Sequence, residues 1–165
     1  MVKKIVLFGI ALFLAAPLAG CVTAGGPKSY YMPPEESEKT FTIDGSTSTG
    51  LPMAYFNLGT MDGDYIKGSG PKNVKFGKHL LVVNVLRGTY GGAYKGACLI
   101  GFEIKSKLNL RVSGSFENDA GMFGDPKKAI VWIENKENGD ILGKKSDCPV
   151  SYEDGGYQYI VTPSQ

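Results

Sequence analysis

From Lys39 onward, apolar and polar positions alternate with the period of two that a half-buried strand requires. Phe41 and Ile43 alternate with Thr40, Thr42 and Asp44, and Asp44-Gly45 closes the run with turn chemistry. Met53–Leu58 is a second candidate strand, bounded by Pro52 and Gly59. His79–Leu86 is almost wholly apolar, with Leu81, Val83 and Val85 on one side and Leu80, Val82 and Leu86 on the other. That pattern predicts a central strand covered on both faces. Cys98–Ile104, Leu108–Val112, Ile130–Glu134 and Tyr157–Val161 complete the set, while Asp62–Asp64, Gly68–Pro71 and Asp147-Cys148-Pro149 read as turns or breaks. No window shows a 3.6-residue period. The expected fold is all-β: a single antiparallel β-sandwich of seven or eight short strands over residues 39–165.

The first 38 residues follow another pattern. Lys3 and Lys4 precede an apolar run, Ile5–Leu14, broken only by Gly9. The apolar stretch to Ala19 is about 15 residues, short of the roughly 20 that cross a bilayer, and reads as a signal-peptide core. Val22–Glu38 carries Gly25-Gly26-Pro27, Pro33-Pro34 and Glu35, Glu36 and Glu38, with no periodicity. The organisation is therefore a signal peptide over 1–20, a flexible tether over 21–38 and a body over 39–165. Fully extended, the tether would reach roughly 55 Å. Its one apolar cluster, Tyr30-Tyr31-Met32, either docks on the body or forms a short contact segment.

Leu18-Ala19-Gly20-Cys21, placed at the end of that apolar run, resembles the lipobox of bacterial lipoproteins. The resemblance implies a diacylglyceryl group on the Cys21 sulfur, cleavage before Cys21 and an acyl chain such as palmitate on the new amine. Several acyl chains make a stable anchor where one is marginal. The competing reading is an ordinary secretory signal with a chance cysteine. Val22 stands where lipoproteins kept in the inner membrane carry aspartate, which implies an outer-membrane protein facing the periplasm by default.

Charge narrows the partners. The 165 residues hold 18 Lys+Arg against 16 Asp+Glu, and residues 1–20 remove two lysines and no acid, so the remainder is formally neutral. A neutral body argues against nucleic acid as a partner. Within it, Lys67–Arg111 holds Lys67, Lys72, Lys75, Lys78, Arg87, Lys95, Lys105, Lys107 and Arg111 against Glu103 alone, between two acidic stretches. Gathered on one sheet, these would present a positive face to lipid phosphates or acidic partners; interleaved with acidic strands, they would pair across the sheet.

Candidate chemistry is sparse. The one histidine, His79, has no Gly-x-Ser-x-Gly elbow to serve and reads as a strand-edge side chain bonded to a loop. Asp62 with Asp64, and Asn118 with Asp119 and Asp125, offer oxygens to calcium but lack the twelve-residue loop signature, and turns account for them equally. No catalytic residue, metal site or cofactor is assigned, and the chain does not read as an enzyme. Cys98 and Cys148 are the cysteines left beside Cys21. In an oxidising envelope they are expected to pair, the alternatives being two buried thiols or a redox pair without the close spacing such pairs use. Arg87-Gly88-Thr89-Tyr90-Gly91-Gly92-Ala93-Tyr94-Lys95-Gly96 reads as a long hairpin loop between apolar strands. Arg87, Tyr90, Tyr94 and Lys95 are its candidate binding residues, of types favoured at recognition surfaces.

Val74-Lys75-Phe76-Gly77-Lys78-His79-Leu80-Leu81-Val82-Val83, followed by Cys98–Ile104, Leu108–Val112 and Ile130–Glu134, is similar to small envelope lipoproteins of the transthyretin-like or carboxypeptidase-regulatory-like sandwich kind. That resemblance implies architecture and carries over no functional residue. Phe76 stands where such turns usually carry proline. The resulting expectation is an envelope lipoprotein whose body is a binding or structural module with an envelope protein as partner. The alternative is a binder of lipopolysaccharide or peptidoglycan through a basic face of residues 67–111.

Overall fold

The computed structural model describes residues 29–48, 52–89, 91–117 and 124–154. The expected signal peptide, Cys21, Tyr90, the oxygens of Asn118 and Asp119, and the strand expected at Tyr157–Val161 lie outside the described residues. Eleven strands form among those described: β1 Thr40–Asp44, β2 Ser46–Thr47, β3 Ala54–Met61, β4 Asp64–Tyr65, β5 Lys72–Lys75, β6 Gly77–Thr89, β7 Gly92–Ile104, β8 Asn109–Phe116, β9 Lys128–Asn135, β10 Ile141–Pro149 and β11 Ser151–Asp154. They make two sheets that face each other. One has the order β11-β7-β6-β3-β2, with β4 beside β3; the other runs β10-β9-β8-β1-β5.

The sandwich expectation holds, with three corrections. There are more strands than seven or eight, and β6 and β7 are long, at 13 residues each. One pairing, β1 with β8, is parallel. The segment Asp147-Cys148-Pro149 is no turn but the end of β10, paired with Lys128–Ile130 of β9. β10 is an edge strand, where a proline costs no ladder hydrogen bond.

The period-two pattern becomes the core. Phe41 and Ile43 of β1, Phe56 of β3, Leu81, Val83 and Val85 of β6, Ile100 and Ile104 of β7, Leu110 and Val112 of β8, and Val131 and Ile133 of β9 are buried between the sheets. Gly114 of β8 faces Phe56 across this core. A Cβ on Gly114 would overlap the Phe56 ring and stand 2.8 Å from the Ile130 carbonyl oxygen. Cys98 of β7 and Cys148 of β10 are bonded, with Cα atoms 5.1 Å apart, so the disulfide ties one sheet to the other.

His79 fastens the opposite margin. Its Nδ1 lies 2.7 Å from Asp62 Oδ2, in the β3–β4 turn, and its Nε2 lies 2.8 Å from the Lys75 carbonyl oxygen of β5. Asp62 Oδ1 also accepts the Leu80 N–H at 2.8 Å. The ring packs against Phe41 and Phe102, so this histidine near the start of β6 is bonded to one turn and to the end of β5.

The described part of the tether is not free. Tyr30 pairs with Tyr65 of β4 in a parallel bridge, Tyr31 donates its hydroxyl to the Asn73 carbonyl at 2.8 Å, and Asn73 donates its amide to the Pro34 carbonyl. Burial, and then the nearby Asp62 carboxylate, push the Tyr31 phenol above its ordinary range. Lys107 reaches Glu36 at 2.8 Å, which holds that exposed carboxyl below its usual range. Residues 29–38 thus form a strap along β4 and β5, and the packed body begins ahead of Lys39.

Candidate functional site

The Arg87–Gly96 segment is not a loop. β6 pairs with β7 without interruption from Gly77↔Ile104 to Thr89↔Gly92, so only two residues join the strands. Arg87, Tyr94 and Lys95 are strand residues, and alternation separates them. Arg87 and Tyr94 are cross-strand partners on the core side, whereas Lys95 pairs with Leu86 on the solvent side. Arg87 is wholly buried, donates to the Gly124 carbonyl at 3.4 Å and holds its guanidinium 5.9 Å from the Tyr94 ring centroid. Tyr94 donates its hydroxyl to Asp125 at 2.8 Å, which keeps the phenol above its ordinary range. Lys127, then Tyr94, hold the Asp125 carboxyl below its own. Lys95 pairs with Glu153 of β11. Arg87 and Tyr94 close one end of the sandwich; they do not present a recognition surface, and they do not share one with Lys95.

The basic stretch is interleaved with acids. Lys95 meets Glu153, Lys105 meets Glu103 at 3.2 Å, Lys107 meets Glu36, and Arg111 meets Glu134 at 2.6 Å. With Arg87 buried, Lys67, Lys72, Lys75 and Lys78 are the ones that reach no carboxylate among the described residues. Among the same residues, no group of three His, Cys, Asp or Glu side chains could hold a metal ion.

Two features escape a reading of the sequence. The first is the solvent face of the six-stranded sheet. β6 is central, yet it is covered on one face only: Leu81, Val83 and Val85 are buried, while Leu80 is 47% exposed and Val82 and Leu86 are half-buried. Across the ladder, Val82 faces Leu99, itself 54% exposed, and Leu86 faces Tyr55 of β3. The same row continues from Val82 through Thr60 to Tyr65 and then Tyr30. Residues paired across strands share a face, so this is an apolar band, with Asn84 set between Val82 and Leu86. Its sequence signal is the second apolar register of His79–Leu86, which a buried strand would also give.

The second lies on the solvent face of the other sheet. Glu134 accepts hydrogen bonds from Arg111 Nε at 2.6 Å, Ser113 Oγ at 3.0 Å and the Trp132 indole at 2.7 Å. Burial is the largest influence on Glu134 and pushes its carboxyl up; the bonds from Trp132, Arg111 and Ser113 together outweigh it and hold the group below its usual range. Lys145 covers the Trp132 ring at 4.5 Å. These groups satisfy one another. One groove of about 370 Å³ is lined by Asp44–Thr47, Asn57, Leu58 and Gly68–Gly70, with no convergent catalytic groups.

No protein-family model matches this chain, and no curated protein and no solved structure is significantly similar to it.

Proposed function

We propose that this chain is a lipid-anchored lipoprotein of the outer membrane, facing the periplasm, whose sandwich is a docking module for a protein of an envelope assembly. The anchor rests on Lys3, Lys4, the apolar run and Leu18-Ala19-Gly20-Cys21. The observation that carries the docking role is the apolar band on the six-stranded sheet, in which Leu80 and Leu99 are exposed and Val82 and Leu86 half-buried. Isolated surface apolar residues need no explanation, but a row of them in ladder register does. A protein surface is the partner because the band lacks the convergent polar groups that a small molecule or a sugar would need for orientation. The interleaved ion pairs take weight from a basic-face reading, since they engage four of the nine basic side chains and a fifth, Arg87, is buried.

Photocrosslinking in intact cells tests this reading, with a photoreactive residue at Leu99 or Leu80 and, as control, at Ser115 on the opposite sheet. The expected result is a discrete protein adduct from the first two positions that is absent from Ser115 and is lost when Val82→Glu puts a charge into the band. Equal labelling from both faces, or adducts carrying only glycan or lipid, would overturn the docking role. Labelled palmitate incorporation that disappears in Cys21→Ser tests the anchor separately.

A further inference from the structure

From the strap, we infer that the body rests one particular edge, made by Tyr30, Met32, Tyr65, Lys67 and Lys72, on the phospholipid headgroup layer that holds the Cys21 lipid. The inference rests on the anchor proposed above and adds an orientation to it.

The strap sets the geometry. Because Tyr30 is bridged to Tyr65 and Tyr31 is bonded to Asn73, the chain left to link Cys21 with the body is residues 22–28 and not the whole of Val22–Glu38. Seven residues reach about 25 Å when fully extended. The point where the strap meets the body is thus the part of the body held nearest the lipid.

That point has the composition of a membrane interface. Tyr31 faces inward, so its neighbours face out: Tyr30 is 46% exposed and Met32 83%, and Tyr65 beside them is 44% exposed. Tyrosine suits such a boundary, its ring apolar and its hydroxyl wet. Lys67 places its ammonium 3.7 Å over the Tyr30 ring, and Lys72 reaches the Ser69 carbonyl at 3.5 Å. Neither lysine meets a carboxylate among the described residues, unlike Lys95, Lys105, Lys107 and Arg111 of the same stretch. Two of the nearby acids are accounted for, as Asp62 is held by His79 and the Leu80 N–H and Glu36 by Lys107. Aromatic, thioether and ammonium groups at the foot of a short lipid tether complement anionic headgroups above acyl chains. Adding a weak surface contact to a covalent anchor is effective because the anchor already holds the two at high local concentration.

The consequence is a fixed orientation. The apolar band of the six-stranded sheet runs into this edge through Thr60 and Tyr65, so a partner on that face is held beside the leaflet.

The test uses the chain from Cys21 to Gln165 with the Cys21 thiol coupled to a maleimide-headgroup lipid in phosphatidylglycerol-containing vesicles. Cys98 and Cys148 are joined to each other, so Cys21 is the thiol that reacts. Lysine acetylation and methionine oxidation are then followed by mass spectrometry on vesicles and in solution. Lys67, Lys72 and Met32 should react at least fivefold more slowly on vesicles, while Lys144, on the opposite edge strand β10, is unchanged. Lys67→Glu/Lys72→Glu should restore rapid oxidation of Met32. If Lys67, Lys72 and Met32 are protected no more than Lys144, or if all lysines slow equally, the orientation is overturned. Chemical coupling keeps this result independent of acylation in the cell, whose failure would show only as missing palmitate on Cys21.

Discussion

Phe56 and Gly114 meet across the two sheets so closely that the Phe56 ring occupies the volume a side chain on residue 114 would need. Phe56 also packs against Phe116, ring centroids 5.8 Å apart, so the glycine sets the spacing of the sheets where two aromatic rings share the core. Gly114→Ala should destabilise the fold by about 1–3 kcal/mol through overpacking. Urea denaturation would show a lowered midpoint at unchanged slope, and Phe56→Leu in the same chain should recover part of the loss.

The Cys98–Cys148 bridge closes an interval of 50 residues and joins the sheets where β10, still paired with β9, lies beside β7. In the chain-entropy account such a loop contributes about 4 kcal/mol. Cys98→Ala/Cys148→Ala should lower stability by about 2–4 kcal/mol, measured by denaturation under non-reducing conditions. The parent chain should fall to the level of the variant when dithiothreitol is added.

Glu134 gives the stability an acid limb. Its folded carboxyl is held below the usual carboxylate range, so its contribution is full above the unfolded value of about 4.3 and is lost as pH falls through the folded value. Melting temperature should drop below about pH 5, and Glu134→Gln should make that drop shallower while lowering stability at pH 7. A steeper acid limb in the variant would contradict the assignment.

Arg87 ties β6 to Gly124 from a fully buried position. Arg87→Ala removes a buried donor and leaves a cavity, and should cost about 3 kcal/mol. Crosslinking from Leu99 in the folded fraction should be unchanged, because Arg87 lies on the other side of the sheet. Loss of the Leu99 adduct at full stability would place Arg87 in recognition after all.

The strands that face a core on one side and water on the other are legible in the sequence, as Phe41-Thr42-Ile43 shows: the polar residue between two apolar ones marks the solvent face. β10 is not, because Lys144, Lys145 and Asp147 lie on an exposed edge strand and carry no alternation. The β6–β7 hairpin reads as a loop because its glycines suggest flexibility. Gly92 and Gly96 are there for space: a Cβ on either would stand 2.6 Å from a backbone oxygen, that of Glu153 and of Pro149 respectively. Leu80 and Leu99 mislead in the other direction, since an exposed apolar row has the composition of a buried one. The Glu134 cluster comes from β8 and β9 and exists only once Arg111 and Ser113 are brought beside Trp132 by the ladder.

The parallel pairing of β1 with β8 bears on the order in which the molecule can assemble. Thr42 meets Asn109 at a sequence separation of 67, with their side chains hydrogen-bonded at 2.9 Å. A chain that emerges N-terminus first exposes β1 long before its parallel neighbour β8 exists, whereas β6 and β7 can zip as soon as both are out. The β1–β8 ladder must then form after the hairpin is out, and its closure entropy is met late. Until β8 arrives, the early strands Thr40–Asp44 and Lys72–Lys75 offer an unfinished ladder, which makes the interval before synthesis of β8 the one in which a holdase has most to protect.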